Sequence, residues 1–376
     1  MAENLFAHSV ENLGIDRILK NGKRCLLYGA GNKGVEVLGV LKKIGVEAVA
    51  FLDSMRSGPW AGLPVYRPDA IPAELKKYPV IVSVFSHPEN CSLTCIVPLL
   101  ESCGFHDIIS YESFYCVYHE YFDEAERYWQ STPDYFRRHE KEILSVSEIL
   151  ADDVSRDLFR RQIRFRLTGE AALLSPPSPV ELQYFDPSVY SRRDFREFWD
   201  LGAFTGDTLA CAAAAGKEFR KVVAFEPDMK NYIRLCRYLD AHRGDYDSAT
   251  ALPLAVGEEN ETLRFMESAS TSSAVSGTGN ASIPSVAADS AFVGAAPDFI
   301  KMDIEGSEYS ALKGMRNILL KNRPLLAVCV YHLPSDIWRI PLFLHDLLEN
   351  YSWYLRCYSA HLFDTVLYAV PRGEDQ

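Results

Sequence analysis

Apolar residues between Arg24 and Tyr111 come in two alternating patterns: short continuous runs, and longer stretches with helical spacing. Arg24 to Tyr28, Val46 to Leu52 and Val80 to Phe85 read as strands. Lys33 to Ile44 and Cys91 to Cys103 read as helices, stopped by Gly45 and Gly104. A Gly just past a helix supplies the left-handed cap without steric cost. Strands alternating with helices predict a parallel sheet with crossover helices.

From Val117 to Leu174 the pattern changes. Charged residues such as Glu120, Arg137, Arg156 and Arg164 punctuate apolar positions at helical spacing, which predicts a helical connector with a mostly solvated charged face. Ser175-Pro176-Pro177-Ser178-Pro179 ends it, because proline lacks the N–H donor and fixes φ. A second α/β pattern follows. Its expected strands are Glu197–Leu201, Lys221–Phe225, Thr250–Val256, Phe299–Met302, Leu325–Tyr331, Trp353–Tyr358 and Thr365–Val370. Helices follow the first, second, fourth and fifth, and the last two strands are joined by a loop short enough to make them antiparallel. Ser268 to Ala288 is uncharged and rich in Ser, Ala, Thr and Gly, too poor in large apolar groups for a core element. A lid over a substrate or cofactor and a mobile insertion are both open readings of it.

The fold class expected is therefore α/β with two Rossmann-like domains joined by a helical connector: residues 1–116, 117–190 and 191–376. The length of 376 residues lets both bury full cores. A net charge of −12, without a sustained Lys/Arg run, argues against a nucleic-acid partner. No run of about 18 apolar residues exists, so no membrane span is expected. Met1 to Lys20 mixes Glu3, Glu11, Asp16 and Arg17 into its apolar positions, unlike a signal peptide. Nine scattered cysteines read as reduced thiols, and a cytoplasmic location is expected.

The chemistry concentrates where strands of the second unit end. Asp200-Leu201-Gly202-Ala203-Phe204-Thr205-Gly206-Asp207-Thr208 links a strand to an Ala-rich helix, and its glycines remove Cβ atoms where a ligand would approach the backbone. The spacing is not GxGxxG, so a pyrophosphate is not the natural ligand. Twenty residues after Gly206, Glu226 ends the next strand, where a carboxylate can accept from both hydroxyls of a ribose. A nucleoside with a zwitterionic tail, S-adenosylmethionine, suits this pair. The fourth strand runs into Lys301-Met302-Asp303-Ile304-Glu305-Gly306-Ser307-Glu308. Three carboxylates in six residues raise a pKa by mutual repulsion and equip a site for proton abstraction. Glu305 and Glu308 could instead simply favour the positive end of the helix that follows. His332, at the end of the fifth strand, could take a hydroxyl proton or cap a neighbouring turn. No His spacing suggests a structural metal, although a hard divalent ion held by Asp303 and substrate oxygens stays open.

These segments resemble the FkbM-type S-adenosylmethionine-dependent methyltransferases. Asp200 to Thr208, Phe225-Glu226-Pro227 and above all Lys301 to Glu308 carry the resemblance. Tyr184-Phe185-Asp186, Arg323-Pro324, Tyr331-His332 and Thr365 to Pro371 are similar too. The resemblance implies a seven-stranded class I methyltransferase sheet over the last half of the chain. It places Asp200, Gly202, Gly206 and Glu226 at the cofactor and Asp303, Glu305 and Glu308 at its rim. Ala203, Thr208 and Asp303 join the candidate cofactor residues, and Asp303, Glu305 and His332 are the candidate catalytic residues. Many family members end the fifth strand with a carboxylate before the His, where this chain has Cys329-Val330-Tyr331. The implied activity is O-methylation of hydroxyls on sugars, glycan chains or polyketide products, and the reading taken is a hydroxyl of a sugar, glycan or glycoconjugate.

In the first unit, Gly29-Ala30-Gly31-Asn32-Lys33-Gly34 is a GxGxxG turn between strand and helix, and Asp53 follows 22 residues after Gly31. NAD is one ligand this permits. Phe51-Leu52-Asp53, Gly62-Leu63-Pro64-Val65 and Ile81-Val82-Ser83-Val84 instead resemble the nucleotide-sugar-binding domain of bacterial sugar O-acyltransferases. Three functions stay in play: the O-methyltransferase, an NAD(P)-dependent oxidoreductase using the first unit, and a nucleotide-sugar-binding protein without turnover.

Overall fold

The structure is a computed structural model that describes residues 5–6, 13–85, 92–123, 128–174, 176–266, 274–275 and 281–373. It divides into two compact units. The first comprises Met1–Glu140, Asp157–Pro177 and Ser359–Phe363; the second comprises Lys141–Arg156, Ser178–Tyr358 and Asp364–Gln376. The stretch 117–190, expected as a connector, is thus shared between the two units instead of forming a body of its own.

The first unit holds five parallel strands: β1 (Arg24–Tyr28), β2 (Glu47–Leu52), β3 (Val65–Tyr66), β4 (Val80–Val82) and β5 (Ile108–Ser110). Their order is β3-β2-β1-β4-β5, so the chain reverses direction of travel across the sheet beside β1. Ligands bind at that switch in open α/β sheets. Leu27, Phe51 and Ile81 are fully buried beneath the helix Asn32–Ile44, whose Val37 and Leu41 face them. β4 is shorter than expected, ending at Val82; Ser83 beyond it donates to Tyr28 O from both its N–H and its hydroxyl, each at 2.8 Å.

The second unit opens with β6 (Asp194–Leu201), β7 (Glu218–Phe225) and β8 (Ser248–Leu252). Four further strands follow: β9 (Ala255–Val256), β10 (Glu261–Met266), β11 (Ala274–Val275) and β12 (Ala281–Val286). It closes with β13 (Phe299–Met302), β14 (Leu325–Cys329), β15 (Tyr351–Cys357) and β16 (Thr365–Pro371). Seven of these form one sheet in the order β15-β16-β14-β13-β6-β7-β8, with β16 antiparallel to both its neighbours. Phe198 and Phe219 stack at 4.3 Å between ring centres, and Phe299 packs on both.

Three expectations about elements change. The single strand read over Thr250–Val256 breaks at Pro253, which cannot donate to a ladder, and β9 instead joins a four-stranded sheet, β11-β10-β12-β9. The stretch Ser268–Ala288, expected to carry no core element, contributes β11 and β12 to that sheet. Residues 267–273 and 276–280 of it lie outside the described residues. The single helix expected after the fourth strand is two, Glu308–Lys313 and Arg316–Asn322.

Candidate active site

β6 delivers Asp200 to the base of the turn and Gly202 to its apex. Asp200 is fully buried, and Lys301 Nζ on β13 lies 3.1 Å from its carboxylate. Lys301 also donates to Gly202 O at 2.7 Å, so the buried pair pins the turn from beneath. Burial pushes Asp200 up to about 6 despite the opposing Lys301, whose own pKa is raised by Asp200 against its burial. Gly202 has φ +79°, and a Cβ there would stand 1.8 Å from Asp303 O. No side chain fits, so the ends of β6 and β13 meet backbone to backbone. Ala203 is fully buried, its N–H donating to Phe225 O and its carbonyl accepting from Gly206 N, so it braces the turn, and Thr208 is buried in the first turn of the helix Asp207–Ala214. Gly206 has φ +93°, and a Cβ there would meet the Tyr238 ring at 2.7 Å.

Glu226 ends β7 almost fully buried. Its Oε2 accepts from Phe204 N and its Oε1 from Asp228 N, both at 2.8 Å. It thus ties two strand-end turns together, while each oxygen keeps lone-pair capacity for a further donor. Burial raises its pKa to about 7, against the two N–H donors.

On the neighbouring strand ends a second cluster forms. Asp303 follows β13, and its Oδ2 accepts from Tyr184 Oη at 2.9 Å. His332 lies past β14 with its ring almost wholly buried, Nε2 3.3 Å from Asp303 Oδ1 and 3.8 Å from Glu305 Oε2. On its other side Nδ1 is 2.9 Å from Glu308 Oε1. Glu308 is itself fixed, because Ile304 N and Gly306 N donate to its two oxygens at 2.8 and 3.0 Å. Glu305 has φ +55°, a left-handed conformation uncommon for a residue with a Cβ, and it presents the carboxylate beside His332. Burial opposes charge on His332, but Glu308, Asp303 and Glu305 outweigh it and push its pKa up to about 10. Burial raises Glu305 to about 7, whereas His332 and Lys301 hold Asp303 below its usual range against its burial.

Asp303, Glu305 and His332 therefore come together as one group, and Asp200, Gly202 and Glu226 as another. Reading the sequence assigned no role to three residues here. Lys301 neutralises Asp200. Tyr184 (φ +68°) orients Asp303 and is held by Tyr368 Oη, which accepts from its N–H at 2.9 Å. Asp336 takes the Leu333 N–H at 2.9 Å beside His332. Lys301 and Tyr184 stood within motifs that were visible, but buried pairing partners far apart in sequence leave no spacing signal.

The first unit's turn divides its glycines between packing and an open face. Gly29 (φ +107°) and Gly34 serve packing: a Cβ would stand 2.9 Å from Val84 Cγ2 at Gly29 and 2.3 Å from Gly29 O at Gly34. Gly31 is extended and faces open space. Asp53 Oδ2 accepts from Ala30 N, and its Oδ1 accepts from both Met55 N and Arg56 N, all at 2.8 Å. Those donors hold its pKa down against burial. Asp53 closes its own turn, leaving one lone pair on Oδ2 for any ribose. A cavity of about 720 Å³ lies beside it, lined by Gly31, Asn32, Arg56, Val84 and Phe85 among others.

The strand order, the antiparallel β16 and the glycine turn facing an acidic strand end define a class I, nucleoside-binding methyltransferase sheet. Residues 200–353 match the family described as the methyltransferase FkbM domain, and that match supports S-adenosylmethionine-dependent methyl transfer by the second unit. The chain is similar to the crystal structure of an FkbM methyltransferase from Methylobacillus flagellatus, at 21% identity and a TM-score of 0.75, over 97% of this chain and 98% of that one. Precorrin-6Y C5,15-methyltransferase from Geobacter metallireducens aligns at 12% identity and a TM-score of 0.33, over 51% of this chain and 88% of that one. No curated protein matches the sequence. Among the described residues no helix is long and apolar enough to cross a membrane.

Proposed function

We propose that the second unit O-methylates a hydroxyl of a sugar, glycan or glycoconjugate, with S-adenosylmethionine as donor. The observation carrying this reading is the group Asp303, Glu305 and His332 at strand ends adjoining the Gly202–Gly206 turn, 3.3 and 3.8 Å separating the imidazole from the two carboxylates. Glu226 and the turn would hold the nucleoside. The acceptor oxygen would then attack the sulfonium methyl in line as the carbon–sulfur bond breaks, and the hydroxyl proton would pass to a carboxylate. Glu305 is the better acceptor of that proton. It is partly exposed, whereas His332 is kept protonated by its three carboxylates, which weighs against the proton-abstracting role read for it from the sequence. General-base catalysis is worth about 10²–10⁴-fold. Glu305→Gln should therefore lower kcat by about that factor and leave S-adenosylmethionine affinity within about twofold; an unchanged kcat would remove Glu305 from the chemistry.

The first unit, on the same reading, holds a nucleotide or nucleotide sugar that presents or selects the acceptor. The feature that supports a phosphate-bearing ligand is the Arg56 guanidinium, stacked 3.9 Å above the Trp60 ring at the cavity, while Asp53, with three backbone donors already, has little capacity left for a ribose. Titration of sugar nucleotides and NADH into the full chain tests it: binding of NADH alone would favour the dinucleotide.

A further inference from the structure

We propose that Asp303, Glu305 and His332 form a binding site for one divalent cation, Mn²⁺ or Mg²⁺, at the acceptor side of the second unit. The inference rests on reading that edge as the methyl-acceptor site.

The imidazole of His332 is only 2% exposed, and among the described residues neither of its buried ring nitrogens meets a partner in hydrogen-bond geometry. A buried polar atom left unpaired carries a desolvation cost, so what it faces matters. Nε2 faces Asp303 Oδ1 at 3.3 Å and Glu305 Oε2 at 3.8 Å. Two ligands occupying adjacent positions on an octahedral ion with bonds of about 2.2 Å lie about 3.1 Å apart. Asp303 already stands near that spacing, and Glu305 needs a small side-chain movement to reach it. Asp303, Glu308 and His332 also offer donor atoms within 4.8 Å of one another.

The other ring nitrogen has a carboxylate close behind it. Nδ1 lies 2.9 Å from Glu308 Oε1, and Glu308 is held by the N–H groups of Ile304 and Gly306. A carboxylate behind a ligating imidazole orients the ring, and the cation would take the place of the proton on Nε2 when it binds. Lys301, the nearby cation, is committed to Asp200 and Gly202 O, which leaves the carboxylates around His332 with surplus negative charge. Two carboxylate oxygens with one imidazole nitrogen suit a hard to borderline ion, Mn²⁺ or Mg²⁺, better than a thiophilic one. Once bound, such a cation would coordinate the acceptor hydroxyl and lower its pKa.

The test uses the full chain, stripped with chelator and then titrated with MnCl₂, following heat by calorimetry and free Mn²⁺ by electron paramagnetic resonance. The expected result is one Mn²⁺ per chain, with Glu305→Gln weakening affinity at least about tenfold and MgCl₂ competing for the site. His332→Gln should abolish binding; if that variant fails to fold, Glu305→Gln, which alters a partly exposed side chain, decides alone. No Mn²⁺ binding at millimolar concentration, or affinity unchanged by Glu305→Gln, would overturn the site. S-adenosylmethionine is titrated into the same stripped samples. Cofactor binding without Mn²⁺ binding defeats the cation site and leaves the methyltransferase reading standing, whereas Mn²⁺ binding without cofactor binding does the reverse.

Discussion

Glu226 accepts two backbone N–H groups where its sequence position suggested only a ligand contact, and this changes what its removal should do. Alanine there leaves the N–H groups of Phe204 and Asp228 unpaired at a nearly buried position. Each such loss costs about 1–3 kcal/mol. Glu226→Ala should therefore lose about 1.5–3 kcal/mol of S-adenosylmethionine affinity and also lower Tm, with Glu226→Gln losing less of both. Calorimetry and thermal unfolding on both variants read the two effects; full affinity in folded Glu226→Ala would remove the ribose assignment. A second buried carboxylate gives a pH signature. Glu112 in the first unit is wholly buried, its oxygens meet no hydrogen-bond donor among the described residues, and His361 Nε2 is 3.9 Å away. Burial pushes its pKa up to about 8, with Lys33 opposing. The folded state thus favours the neutral acid. The stability this group contributes is complete below the unfolded value of about 4.3 and is lost as pH rises through about 8. Glu112→Gln should unfold at higher denaturant than the parent chain at pH 9 and lose that advantage by pH 4. An equal advantage at both pH values would place the carboxylate in a solvated or paired setting.

Glycines that look alike in sequence do different work in the elements they join. Gly202 and Gly34 each sit where a Cβ would enter backbone, 1.8 Å from Asp303 O and 2.3 Å from Gly29 O. Gly31, the middle glycine of GxGxxG, faces open space. Gly34→Ala should cost about 1–3 kcal/mol through overpacking, and Gly202→Ala at least as much, since its φ of +79° adds backbone strain. Gly31→Val should fold normally but impair ligand binding in the first unit. Urea unfolding orders the three, and a Gly31→Val variant as unstable as Gly34→Ala would contradict the geometry. Strand positions such as Arg24–Tyr28 and Phe299–Met302 were readable because local apolar runs determine them. The split helix after Glu308 was not. Gly314 sits where a Cβ would lie 2.0 Å from Gly257 O, a contact with a residue 57 positions earlier that no helical periodicity records.

The two sheets were legible from alternating strands and helices, and the glycine turns and acidic strand ends from their motifs. The partition of the intervening helices was not, because it depends on which side chains their polar groups meet. Ser155 and Asp152 hold Arg356 at 2.9 and 2.7 Å within the second unit, and Ala151 N donates to Trp353 O at 2.8 Å. Ser110 and Ser113 bond to Gly169 O and Thr168 O within the first. A fragment beginning at about residue 180, natural from the domain boundaries read in the sequence, therefore omits Asp152 and Ser155 and leaves buried Arg356 without them. It should unfold at lower temperature than the second unit does in the full chain, so cofactor binding belongs on the full chain. The measurement that decides the proposed activity is transfer of label from methyl-tritiated S-adenosylmethionine by that chain to a panel of sugar nucleotides and oligosaccharides, with the position of the label read by mass spectrometry. The account predicts a methyl ether on a hydroxyl oxygen, formed at a rate that falls in Glu305→Gln. Label carried on nitrogen or carbon, or no transfer to any hydroxyl in the panel while the cofactor binds, would contradict it.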